Sequence, residues 1–315
     1  DEYIVLRTTD SLMKLPELKK NESVHESQNE EYKTFLKYNV GEQKQKGYKY
    51  IKLKIPFGEI NSDTLLALAS IVNISSTINF RTTQRQNLII SNVPQDKVYI
   101  VYQEVKKILK DYLYADTILD VVSCKAATTC NLGICNAIAL APEVVSELNN
   151  ININLDKLSN VTINMNGCLN ACGGHPIGVL ALSGMVRKVY NKSVPFYKIY
   201  LGGKIDAENT KLSQEAGIVP ARAVPKFISE CVFNISENSN GNVYEYLQNN
   251  GRIKITELIK KYSIVPTYEE NKNYYIDFGK TEDFSLDGLG AAECGAGVID
   301  MMESDLESAQ QSLVS

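Results

Sequence analysis

The side chains best suited to chemistry are four cysteines in two tight pairs. Cys124 and Cys130 have five residues between them, Cys168 and Cys172 have three, and 37 residues lie between the pairs. Four thiolates carried on two loops meet the need of a [4Fe–4S] cube, which takes one sulfur per iron. The same soft donors suit zinc, so residue type alone does not choose between the two. Zinc pairs usually keep about two to four residues between ligands. The wider first gap, with Gly167, Gly173 and Gly174 around the second pair, weighs towards a bulkier group that backbone approaches closely. Cys135 reads as a core thiol on the apolar face of the helix after the first pair, and Cys231 as part of a later helix's buried stripe. Cys294, in a glycine-rich loop, reads as an unligated thiol. An odd total of seven cysteines favours reduced, metal-binding thiolates in a cytoplasmic setting over secreted cross-links. With only His25 and His175 present, a site of several imidazoles is excluded.

These loops need elements to hold them. The 315 residues, 44% hydrophobic and 22% charged, suit two compact units with appendages. A net charge of -4 offers no general attraction to nucleic acid or anionic lipid. No apolar run approaches the roughly 20 residues of a membrane-spanning helix, and no secretory signal opens the chain. The first residue is Asp1, which points to a processed product or an excised piece. Residues 1–47, rich in Lys, Glu, Asn and Gln, read as a solvated connector.

Residues 48–120 alternate as strand, helix, two strands and helix, a ferredoxin-like α+β pattern. Ile51, Leu53 and Ile55 mark the first strand, which Pro56 closes. Leu65, Leu68, Ala69 and Val72 follow the caps Asn61 and Ser62. Short strands are expected around residues 78–80 and 88–90. A second helix carries Val98, Val101, Tyr102, Val105, Ile108 and Leu109, and a closing strand is expected at 117–122. Residues 121–240 form a mixed α/β unit holding both cysteine pairs. It has a strand at 161–165, paired strands at 177–189 and 194–201, and a helix after Pro225. Residues 241–315 are a helical and glycine-rich extension, with a break at Gly251 and a loop from Gly288 to Gly297. A narrow apolar stripe closes it, formed by Ile299, Met302, Leu306, Ala309 and Leu313. A lone Gly288-Leu-Gly290 pattern is weak evidence for a phosphate cradle and reads as a packing turn.

The run from Cys124 to Cys130, followed by Asn166-Gly-Cys168-Leu-Asn170-Ala-Cys172-Gly173, resembles the signature of siroheme-dependent nitrite and sulfite reductases. Upstream, the run Phe80-Arg81-Thr-Thr-Gln-Arg85-Gln-Asn87-Leu88 is similar to the motif by which that family's ferredoxin-like repeats face siroheme. Residues 39–47 and 194–203 also resemble family segments, so the likeness spans residues 39–236 in order. It implies that Cys124, Cys130, Cys168 and Cys172 hold a [4Fe–4S] cluster, and that Cys172 also ligates the siroheme iron. It implies that Arg81, Arg85 and Asn87 serve the siroheme carboxylates, for which guanidinium forks are suited. Arg187 and Lys188 are weaker candidates, with solvated strand charges as the alternative. Asn170 and His175 are placed to hydrogen-bond near the cofactors, His175 reading more simply as a structural histidine.

The implied enzyme is an oxidoreductase performing six-electron reduction of sulfite to sulfide or of nitrite to ammonia, with a donor such as ferredoxin. There are departures. Leu169 stands where the family usually has proline, and only one arginine motif is present although members carry two repeats. Lys52 and Lys54 read as a solvated edge rather than as grips for the substrate anion. The chain therefore resembles the C-terminal half of a longer reductase whose N-terminal half is a missing partner, and alone it is expected to be weakly active or inactive. Two alternatives stand: a [4Fe–4S] electron-transfer module without siroheme, and a structural zinc domain.

Overall fold

A computed structural model describes residues 29–158, 161–206 and 208–286. Cys294, the Gly288–Gly297 loop and the apolar stripe from Ile299 to Leu313 lie outside the described residues, as does His25. The chain divides between Asp116 and Thr117 into two compact units, each with its own sheet.

In the first unit, helix α1 (Glu30–Tyr38) leads into strands β1 (Val40–Glu42) and β2 (Tyr48–Leu53). Helix α2 (Ser62–Ala69), strands β3 (Asn79–Thr82) and β4 (Leu88–Pro94) and helix α3 (Val98–Ile108) follow. The sheet runs β1-β2-β4-β3, antiparallel throughout. Alternation in β2 turns Ile51 and Leu53 into the core with Ile90, Val93, Val101 and Val105, leaving Lys52 on the other face. Asn61 caps α2 by accepting from the Thr64 N–H at 2.8 Å, as its position before the apolar period implies.

Two expectations fail here. Residues 30–42, inside the stretch read as connector, are helix and strand. Tyr32 and Phe35 are buried, and Phe35 packs on Tyr102 with ring centroids 5.0 Å apart. Aromatic side chains spaced by three compensate for a segment otherwise full of lysine and glutamate. The expected closing strand at 117–122 does not join this sheet. Its edge beside β2 is occupied from upstream by β1, whose Val40 pairs with Ile51, while β5 (Val122–Ser123) belongs to the second sheet.

The second sheet runs β5-β6-β7-β8-β9, with β6 at Ile163–Asn166, β7 at Leu180–Val189, β8 at Lys192–Leu201 and β9 at Gln214–Pro220. Its first three strands are parallel and its last three antiparallel. Sequence periodicity did not mark β9. Helix α4 (Ala137–Asn149) packs against α5 (Val224–Asn238), whose Ile228, Cys231, Val232 and Ile235 are buried as expected. Helices α6 (Val243–Gln248) and α7 (Asn250–Tyr262) are separated at Asn249 (φ −119°, ψ −118°), not at Gly251. Gly251 lies within α7, where a Cβ would sit 2.6 Å from the Tyr246 ring.

Candidate functional site

Both cysteine loops leave the C-terminal ends of neighbouring parallel strands. Strand β5 ends at Ser123 and hands over to Cys124, whose N–H continues the ladder to the Met165 carbonyl at 3.1 Å. Strand β6 ends at Asn166, two residues before Cys168. Parallel pairing therefore brings the two loops to one end of the sheet, a common place for ligand sites in sheets of this kind. Each loop turns through an alanine in the left-handed region, Ala126 at φ +51° and Ala171 at φ +59°. That conformation costs about 1–2 kcal/mol per residue and persists where surrounding bonds impose it.

A backbone N–H is aimed at sulfur. Gly167 N donates to Cys124 Sγ at 3.2 Å, and the Asn170 backbone favours the Cys168 thiolate. Asn170 thus acts through its backbone, its side chain being exposed. Cys172 Sγ lies 3.9 Å from the Asn170 carbonyl. Burial holds the Cys124 and Cys168 thiols above their ordinary range, partly offset by those backbone groups and reinforced by neighbouring thiols. Cys124 feels Cys168 and Cys172, and Cys168 feels Cys130 and Cys172, so the four are electrostatic neighbours. Such a set gives up its protons most readily to a metal, which removes the repulsion. Among the described residues no group of three or more His, Cys, Asp or Glu is gathered closely enough to hold one ion.

Backbone packing braces the loops. A Cβ on Gly173 would lie 2.5 Å from the Met165 carbonyl oxygen and 3.1 Å from Cys124 N, so glycine lets the second loop lie against the first. Asn166 Oδ1 accepts from Gly173 N, which turns its Nδ2 towards His175 Nδ1 at 3.0 Å, and Asn164 Nδ2 donates to the Gly173 carbonyl at 2.8 Å. Because Nδ1 accepts, His175 is held neutral with its proton on Nε2. It is a brace, and burial lowers its pKa below the ordinary 6.5. The unfolded chain then gains a proton first as pH falls, so stability supplied by the neutral ring is complete above 6.5 and is lost as pH falls through the folded-state value. The thermal midpoint of the metal-free chain is expected to decline below pH 6.5, with a shallower decline in His175→Gln.

Cys135 is fully buried just before α4, not on that helix, and its Sγ donates to the Met185 and Phe196 carbonyls at 3.4 and 3.5 Å. Sequence reasoning missed Asp277. This buried carboxylate accepts from Asn136 N at 2.7 Å and Phe278 N at 2.9 Å, tying the end of the first cysteine loop to a distant segment. No spacing rule marks a partner 141 residues away.

The arginine motif, in the first unit, divides. Arg81 is exposed on β3, opposite Ile89, which is in turn opposite Lys52, so a cation stands on each side of Ile89 on the face away from the core. Arg85 Nε lies 3.2 Å from Asp116, which also takes Lys52 Nζ at 2.6 Å. Asn87 faces inward: it is 2% exposed, its Oδ1 accepts from Ile55 N at 2.9 Å, and its Nδ2 donates to Asp116 at 3.3 Å. Lys54 is not a solvated edge either, since it is buried and pairs with Asp111 at 2.9 Å. Asn87→Ala is expected to cost this unit about 1–3 kcal/mol by leaving Ile55 N without its acceptor, readable as a lower denaturation midpoint. Arg187 and Lys188 are exposed on β7, Arg187 lying 6.0 Å from the Phe196 ring centroid.

Comparison with known proteins bears on both units. Residues 41–108 match the family described as nitrite/sulfite reductase ferredoxin-like half domain. A chloroplastic ferredoxin–nitrite reductase of Spinacia oleracea is 27% identical over 199 residues, which is 62% of this chain and 33% of that protein. The NADPH sulfite reductase hemoprotein beta-component of Anoxybacillus flavithermus is 31% identical over 137 residues, 41% of this chain and 22% of that protein. The chain thus matches a third or less of the length of these relatives. In fold it is similar to the NirA protein of Mycobacterium tuberculosis (TM-score 0.60, 17% identity, 69% of this chain and 41% of that one). It is also similar to dissimilatory sulfite reductase I (TM-score 0.54, 10% identity, 70% of each chain).

Proposed function

We propose, from the premise that residues 41–108 are a ferredoxin-like half domain of the nitrite and sulfite reductases, that this chain is the cofactor-binding part of such an oxidoreductase. It would carry a [4Fe–4S] cluster and siroheme and take sulfite or nitrite as substrate. Electrons would come from a donor such as ferredoxin, with an N-terminal half of the same protein completing the site. The observation that supports this most is the pair of cysteine loops, set side by side by parallel strands, with the Gly167 N–H directed at the Cys124 sulfur.

The donor set fits the cluster. Cys124, Cys130, Cys168 and Cys172 offer one sulfur per iron, and a cube spreads its ligands wider than a single ion does. When bound, the two cofactors supply electrons singly to the anion. The chain's own residues do the rest. Gly167 directs its N–H at the Cys124 sulfur, the Asn170 backbone favours the Cys168 thiolate, Asn166 and His175 keep the second loop in register, and Cys172 stands at the exposed end of the set. Arg81, exposed and without an ion pair among the described residues, is the motif cation left free to serve a siroheme carboxylate, with Arg85 contributing what its bond to Asp116 leaves over. No helix among the described residues is long and apolar enough to cross a membrane. Thiols that must stay reduced support a cytoplasmic setting.

A second reading, a cluster-only electron-transfer module, draws support from the arginine motif itself. Asn87 is committed inside the first unit and Arg85 is paired, so one motif cation remains uncommitted. Anaerobic reconstitution with iron, sulfide and siroheme separates the readings. About four irons per chain with a retained Soret band supports the reductase. The same iron without a retained Soret band supports the module, and one zinc with no iron defeats both.

A further inference from the structure

Tyr197 lies in the middle of β8, fully buried, and its hydroxyl meets no hydrogen-bond partner. Burying a hydroxyl without a partner costs stability, so such a group in a core calls for a reason. Its direction supplies one. Tyr197 is the cross-strand partner of Gly184, and directly opposed residues of an antiparallel pair project from the same face. A Cβ built on Gly184 would lie 2.4 Å from the Gly167 carbonyl oxygen and 2.8 Å from Cys135 Cβ. The face from which Tyr197 projects is therefore the one that the cysteine loops cover.

Two of the phenol's three titratable neighbours are already engaged. Cys124, Cys135 and Asp277 are the electrostatic neighbours of the phenol. Asp277 is occupied by the Asn136 and Phe278 N–H groups, and the Cys135 thiol points at two carbonyls. That leaves the sulfur side of the site. We propose that the Tyr197 hydroxyl donates a hydrogen bond to a sulfur of the bound cluster on its Cys124 side and so raises the cluster's reduction potential. The proposal rests on the cluster reading above. It adds a residue outside the cysteine motifs, from a strand that contributes no ligand.

Hydrogen bonds to sulfur favour the reduced, more negative cluster. The test is Tyr197→Phe in the full chain, with unfolding measured metal-free and a redox titration after reconstitution. The metal-free variant is expected to melt no lower than the unsubstituted chain, because the lost hydroxyl had no partner there. The loaded variant is expected to show, at a fixed applied potential, a roughly tenfold lower ratio of reduced to oxidised cluster, about 59 mV for one electron. A variant that melts normally without metal but does not retain iron after reconstitution also supports the proposal, since the hydroxyl then acts on the bound state alone. A fully loaded variant with an unchanged potential overturns it. So does a variant that melts earlier or fails to fold, because the hydroxyl then serves a protein partner. If the unsubstituted chain takes up no iron and sulfide, the cluster reading itself fails, an outcome visible before any variant is made.

Discussion

A Cys172→Ser chain reconstituted without oxygen is expected to retain cluster iron at least about 10–100-fold more weakly than the unsubstituted chain, and to lose any electronic coupling to siroheme. The size follows from chemistry and position. Serine offers a hard, high-pKa oxygen where iron–sulfur ligation calls for thiolate. Cys172 is also the exposed member of its pair, so neighbouring side chains do little to enforce its ligation. Its Sγ has one weak contact, 3.9 Å to the Asn170 carbonyl, so serine disturbs little of the metal-free fold. Loss of iron with an unchanged unfolding midpoint is therefore the expected signature. Cys135→Ala is the control: that thiol packs against Met185 and Phe196 carbonyls, and its loss is expected to leave iron content intact. Equal iron in both variants, with coupling preserved in Cys172→Ser, would remove Cys172 from the site.

Gly184→Ala is expected to destabilise the second unit by about 2 kcal/mol or more, at the upper end of overpacking costs. Strand preference argues the other way, because alanine in an extended strand usually gains about 0.5–1 kcal/mol over glycine. Space decides the sign. The added methyl would stand 2.4 Å from the Gly167 carbonyl oxygen, and that oxygen accepts from both Ile134 N and Cys135 N. It cannot yield without shifting the turn that joins the two cysteine loops. Gly202→Ala provides the contrast: φ is +80°, but nothing lies within 4 Å of the new methyl. There the cost is conformational, about 1–2 kcal/mol, and the cysteine loops are untouched. Thermal unfolding should place Gly184→Ala lowest, and only that variant should lose iron uptake. A Gly184→Ala chain as stable as the parent would show that the loop does not press on the sheet as described.

The elements that sequence revealed are those whose signal is local. Asn61 before an apolar period capped α2 as its side chain dictates, and alternation at Ile51 and Leu53 placed β2. The first 47 residues misled for the opposite reason: average polarity hid Tyr32 and Phe35, two buried aromatics that carry α1 into the core. The edge of the first sheet was assigned to residues after α3, because a ferredoxin-like unit usually closes from downstream. Whether the strand before or after completes a sheet is a matter of tertiary pairing, and no period records it.

The site divides along the same line. Cysteine type and spacing by themselves raised the expectation of soft-metal chemistry, since sulfur donors and their number are properties of the chain. Only the folded chain showed that Asn87 faces inward to Ile55, that Asn170 works through its backbone, and that Asp277 and Tyr197 stand behind the first loop. Those roles depend on which atoms meet across scores of residues. Burial and hydrogen bonding are set by three-dimensional neighbours, whereas ligand chemistry is already present in the side chain.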